Sequence, residues 1–162
     1  NISINPAKVD SVGASAFYNP SVNTIYLRDS DQVTKLKILY EELIHSIQKA
    51  VYTEEERNIA SFNMEFEAKL IIDYITLSLY SYGDTELSKM AKLKDEHHQS
   101  LHDFLSSNKG ERFDISAFFR YALLWKETTA SNAYKQMNFN SLVRPVIIEN
   151  IVNNIDYSCY NN

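Results

Sequence analysis

The chain has 162 residues, 44% hydrophobic and 23% charged, with a net charge of −5: one domain by length, ordinary globular composition, and enough chain to bury a core without staples. A mildly acidic chain has no electrostatic attraction to nucleic acid or to an anionic membrane, so neither is expected as a partner. A single cysteine, Cys159, excludes an intrachain disulfide and a cysteine zinc site; no apolar run approaches the ~20 residues of a membrane helix, so no membrane insertion is expected.

The chain opens at Asn1 without Met or a charged-then-apolar leader, which reads as a processed protein or an excised domain. Glycine and proline are scarce, three each, which argues for long helices over a many-stranded β fold. Residues 1 to 12 show no clear period. Residues 15–28 read as a β-hairpin: Ala16, Phe17 and Tyr18 form one arm and Thr24 to Arg28 the other, with Asn19-Pro20-Ser21-Val22-Asn23 as turn chemistry. Asp29, Ser30 and Asp31 are N-cap candidates, and Asp29 with Gln32 fits a capping box. From there a helix is predicted over 30–51, with Leu36, Tyr40, Leu43, Ile47 and Ala50 as its apolar stripe. A second is predicted over 53–82, with Glu54, Glu55 and Glu56 in its first turn and Gly83 as its stop. The remainder, 85–155, is predicted helical: a polar helix over 85–106, an apolar one over 115–134 and a last one over 140–155 that Pro145 begins or kinks. The expected fold class is α+β, mainly helical: a short N-terminal β-hairpin followed by about five helices, with no linker and hence a single domain over 1–162.

Two stretches carry chemistry. On the first helix, Glu41, Glu42, His45 and Gln48 are spaced i, i+1, i+4 and i+7, which puts them on one strip. Ile38 and Ile44 are apolar off the main stripe, so the helix is expected to be covered on more than one side and its polar strip to face a cleft. The plainer alternative is a solvated Glu-Glu-His face. On the second helix, Glu65 and Glu67 stand among Phe62, Met64, Phe66, Leu70, Ile71 and Ile72. Carboxylates in such a run are costly unless paired, hydrogen-bonded or metal-bound. A short connection near Tyr52 predicts antiparallel neighbouring helices, with His45 and Glu65 each about two turns from it.

This pattern resembles the zincin metallopeptidases, and most closely their glutamate-ligand branch. Those proteins carry His-Glu-x-x-His on a helix and a third ligand Glu about twenty residues on. Here Glu41-Glu42-Leu43-Ile44-His45 is followed by Glu65 twenty positions later, and Glu65-x-x-Ala68 repeats the small-residue spacing of the family. The departure is Glu41, where the family has its first His; Glu-Glu-x-x-His forms occur among bacterial zincin-like proteins. The resemblance covers residues 15 to 80. It implies Glu41, His45 and Glu65 as metal ligands and Glu42 as general base toward an activated water. Gln48 and Asn63 would support the ligands from behind, and Glu67 is the alternative third ligand. It further implies a divalent metal, zinc first with manganese or iron as rivals, a peptide or protein substrate, and an exported bacterial protein as one admissible location. A β-strand ending at Tyr26 to Arg28 would be the edge along which an extended substrate docks.

Two other readings stay open. Glu42-x-x-His45 is also the spacing of helical dimetal carboxylate proteins, with Asp95-x-x-His98 as a weak second copy. The fold could instead persist as a non-catalytic binding or structural domain. His97, His98 and His102 read as a solvated helix face; Trp125, Phe118, Phe119 and Tyr121 read as core. Tyr80 and Tyr82 are candidates to stabilise an oxyanion.

Overall fold

The computed structural model describes residues 1–12, 16–28, 36–80, 104, 112–129 and 131–154. It is mainly helical, with a small three-stranded sheet at the N-terminal end. The elements in chain order are β1 (Ile2–Ile4), α1 (Pro6–Ser11), β2 (Ala16–Asn19), β3 (Thr24–Leu27), α2 (Leu36–Val51), α3 (Glu54–Ile59), α4 (Ser61–Tyr80), α5 (Ile115–Thr128), α6 (Asn132–Gln136) and α7 (Val146–Asn154). They fall into two compact units, Asn1–Glu54 and Glu55–Asn162. The proposed caps at 29–32, the 85–106 helix apart from Phe104, the three histidines on it, Asp95, Tyr82 and the Tyr80 side chain lie outside the described residues.

In the first unit the hairpin forms as its turn residues require. Ala16 pairs with Leu27 and Asn19 with Thr24. Asn19 Oδ1 accepts the Ser21 N–H, and Tyr18 Oη donates to Asn23 Oδ1 at 2.8 Å. Asn23 takes φ 48°, a left-handed conformation that asparagine tolerates. The patternless first residues contribute a third strand: β1 pairs parallel with β3, giving the order β1-β3-β2. The α1 helix follows β1. Pro6 occupies its first turn and the Asn5 side chain accepts the Lys8 N–H, a cap with proline just inside it. β3 is therefore the central strand, not an edge, and all four of its residues are buried. Ile25 and Leu27 form a core with Ala16, against which Ile38 and Leu39 of α2 pack. Tyr26, pointing the other way, stacks on Phe17 and accepts a hydrogen bond from Lys8 Nζ.

The packing of α2 corrects the predicted stripe. Tyr40, Leu43 and Ile47 are 44%, 38% and 47% exposed, and Ala50 is exposed too. Ile44 and Gln48 are the buried residues, at 6% and 2%. A helix with two apolar rows offers two candidate inner faces, and spacing alone favours the longer row. Here the sheet takes Ile38 and Leu39, and burial follows the shorter row through Ile44. The polar strip next to that row is the better covered side.

In the second unit the described side chains of α4, residues 61–75, are buried almost all round. The predicted 53–82 helix is interrupted at Ala60, although no glycine or proline stands there. Asn138 makes the break. Its carbonyl accepts the Phe62 N–H at 2.9 Å, its own N–H bonds Ser61 Oγ, and its amide donates to Asn58 O. The predicted 115–134 helix is likewise two. α5 is capped by Asp114, whose Oδ1 accepts the Ala117 N–H, and stops at Thr129; α6 then starts at Asn132. Lys126 Nζ donates to the carbonyls of Tyr134, Lys135 and Met137, which satisfies the C-terminal end of α6. Trp125 and Phe118 are core as predicted, 1% and 0% exposed. Trp125 packs on Phe62 and Tyr134, and Phe118 on Phe66. Residues 140–145 form a loop in place of a first helical turn, and α7 starts directly after Pro145.

Candidate metal centre

Glu41, Glu42 and His45 are half-buried on α2, and Gln48, one turn past His45, is 2% exposed. The strip is thus neither a solvated face nor a core seam. His45 Nδ1 lies 2.8 Å from Gln48 Oε1. On α4, Glu65 is the one residue between Phe62 and Tyr74 that is not buried. One ligand atom from each of Glu41, His45 and Glu65 lies within 4.8 Å of the others, a group that could hold a metal ion. That spacing is little more than twice a metal–ligand bond of about 2.1 Å.

The two glutamates of α4 do different things. Residues two apart on a helix point roughly 200° apart, so they cannot serve the same face. Glu67 is 1% exposed, and its Oε1 accepts the N–H groups of Ile147 and Ile148 at 3.0 and 3.2 Å. It caps the N-terminal end of α7, where unpaired amides and the helix dipole favour an anion. This corrects Glu67 as an alternative third ligand. Asn63 is also spoken for: its Oδ1 accepts the Asn140 N–H, and its amide donates to Asn140 O at 2.8 Å and Val143 O at 3.4 Å. It holds the 140–143 loop and does not orient a ligand carboxylate. The supposed substrate edge at Tyr26 is corrected as well, because β1 occupies the free side of β3.

Sequence reading passed over Lys69 and Asp73, both buried on α4, at 2% and 1%. Their i, i+4 spacing, with opposite charges on one helix face, was the available signal. An open pocket of about 230 Å³ in the first unit is lined by Leu43, Ser46 and sheet residues including Ile25. Leu43 and Ser46 lie off the Glu41–His45–Gln48 strip, so this hollow is not the candidate centre.

No family model, curated protein or solved structure matches the chain. Among the described residues no helix is long and apolar enough to cross a membrane.

Proposed function

We propose that Glu41, His45 and Glu65 bind one divalent transition-metal ion, and that the protein uses it to hydrolyse a peptide bond. The observation that carries this reading is the convergence of these three side chains within 4.8 Å. The donor set fits such an ion. An imidazole and two carboxylates suit zinc first, with manganese or iron(II) as rivals, and their two negative charges balance a dication. Bound there, the ion would act as a Lewis acid on a carbonyl oxygen and lower the pKa of water. Glu42, half-buried beside Glu41 on the same helix, would take the proton from the attacking water, and in its protonated form return it to the leaving amine. The full neutralisation of the cation by Glu41 and Glu65 predicts slower chemistry than a His-His-Glu set would give.

The test is elemental analysis of the purified protein together with cleavage of a peptide library. About one equivalent of metal per chain, lost in a His45→Ala variant, and chelator-sensitive cleavage support the reading. No metal above background after dialysis against zinc overturns it. A second reading is favoured by the central place of β3, which leaves that strand no free edge to pair with a peptide: the centre binds metal in a domain that does not cleave. Bound metal with no cleavage would select it.

A further inference from the structure

The buried amide of Gln48 is the least expected polar group of the first unit. Glutamine is rarely inside proteins, and a buried amide is costly unless it is hydrogen-bonded. Leucine or methionine would fill position 48 of α2 without that cost. The amide is nonetheless 2% exposed, with Oε1 2.8 Å from Nδ1 of a half-buried imidazole on the same helix. A carbonyl oxygen has lone pairs and no proton, so at this distance the ring nitrogen has to donate. A neutral imidazole carries a single N–H, and if Nδ1 holds it, Nε2 holds the lone pair.

The geometry points to Gln48 as the positioning residue of His45: it fixes the Nδ1–H tautomer, so that Nε2 is the nitrogen presented to a cation. This rests on the metal reading above for its purpose, though not for its geometry. Metal-bound histidines commonly donate their second ring N–H to a carboxylate, a carbonyl or water, which fixes the ring and tunes ligand basicity. A neutral amide in that place orients the ring without adding a third negative charge behind a ligand set that already carries two. Glu41 and Glu65 supply the charge, and Gln48 supplies direction alone.

The experiment uses the full chain, labelled with ¹⁵N at histidine, at a pH where the imidazole is neutral. Long-range ¹H–¹⁵N correlation distinguishes a protonated ring nitrogen from one with a lone pair; His45 is assigned by its loss in His45→Asn. The parent is expected as the Nδ1–H tautomer, and Gln48→Glu keeps it because a carboxylate is also an acceptor. Gln48→Leu releases the ring to the Nε2–H form. In parallel, zinc affinity measured by competition with a chelating dye should fall about ten- to a hundredfold in Gln48→Leu and recover in Gln48→Glu. A parent in the Nε2–H form overturns the inference, because the amide would then be turned to donate. Unchanged tautomer and zinc affinity in Gln48→Leu overturn it also. If the tautomers follow the expectation while no variant binds zinc, Gln48 sets the ring as inferred and it is the metal reading that fails. Should Gln48→Leu not fold, Gln48→Glu decides: loss of the Nδ1–H tautomer there overturns the inference, and retention supports it.

Discussion

Glu67 allows a quantitative test of how the second unit is held. Its Oε1 accepts two backbone amides at the start of α7, and the side chain is 1% exposed. Replacing it with alanine strands the Ile147 and Ile148 N–H groups away from water. A hydrogen bond to a charged group contributes about 1.5–3 kcal/mol, and loss of an N-cap about 1 kcal/mol. Both bonds end on one oxygen, so they are not independent, and the expected loss for Glu67→Ala is about 3 kcal/mol. Glu67→Gln keeps a carbonyl oxygen but gives up the charge that favours a helix N-terminus, for an expected loss of about 1 kcal/mol. The assay is urea denaturation followed by circular dichroism, with amide hydrogen exchange at residues 147 and 148. Exchange there should accelerate in Glu67→Ala beyond what the global loss explains. A loss below about 1 kcal/mol, or parental protection of both amides in Glu67→Ala, would refute the capping role. Zinc affinity should be the same in Glu67→Gln as in the parent; a fall of tenfold or more would return Glu67 to the ligand set.

Three further outcomes are expected. Glu41→His should raise zinc affinity in calorimetry, since imidazole suits zinc better than a harder oxygen donor does; any cleavage gained should vanish when Glu42→Gln is added, because an amide cannot accept the proton. Asn63→Ala should cost about 2 kcal/mol in thermal or urea unfolding, because it leaves the Asn140 N–H without its acceptor and takes one of two donors from the Asn140 carbonyl, which keeps the Val143 N–H. Lys126→Met, which keeps the stem and removes the charge, should speed amide exchange in α6, whose last carbonyls Lys126 holds.

The hairpin was legible because its signals are local: strand formers on both sides of Asn-Pro-Ser-Val-Asn, and an asparagine where φ turns positive. The placing of Glu41, His45 and Gln48 along α2 was legible for the same reason, since helical periodicity fixes which side chains of one helix share a strip. The missed features depend on partners far along the chain. β1 is only three residues long and becomes a strand because β3 has a free side. The break at Ala60 is imposed by Asn138, and nothing near residue 60 announces it. Glu65 and Glu67 are indistinguishable in composition and neighbours. Only the arrival of α7 beside one of them separates a half-buried carboxylate from a cap. On α2 the period was right and the face wrong, because spacing cannot say which of two apolar rows the rest of the protein will cover.

The bonds that tie the second unit together span long stretches of chain. Ser61 and Asn63 bond to residues 77 positions later, and Glu67 to residues 80 and 81 positions later. During synthesis α4 therefore leaves the ribosome long before the residues that make these bonds. For the time needed to add roughly 80 residues, several seconds at ~5–20 residues per second, it is an apolar helix with Glu67 and Asn63 still lacking these partners. Contacts of that separation slow folding, since loop closure must come before the contacts that stabilise it. The nascent chain is thus most open to self-association and to chaperones while the segment after residue 80 is being made. Asn138, Asn140 and Ile147 end that interval, and a polypeptide stopped short of them holds α4 without its lock.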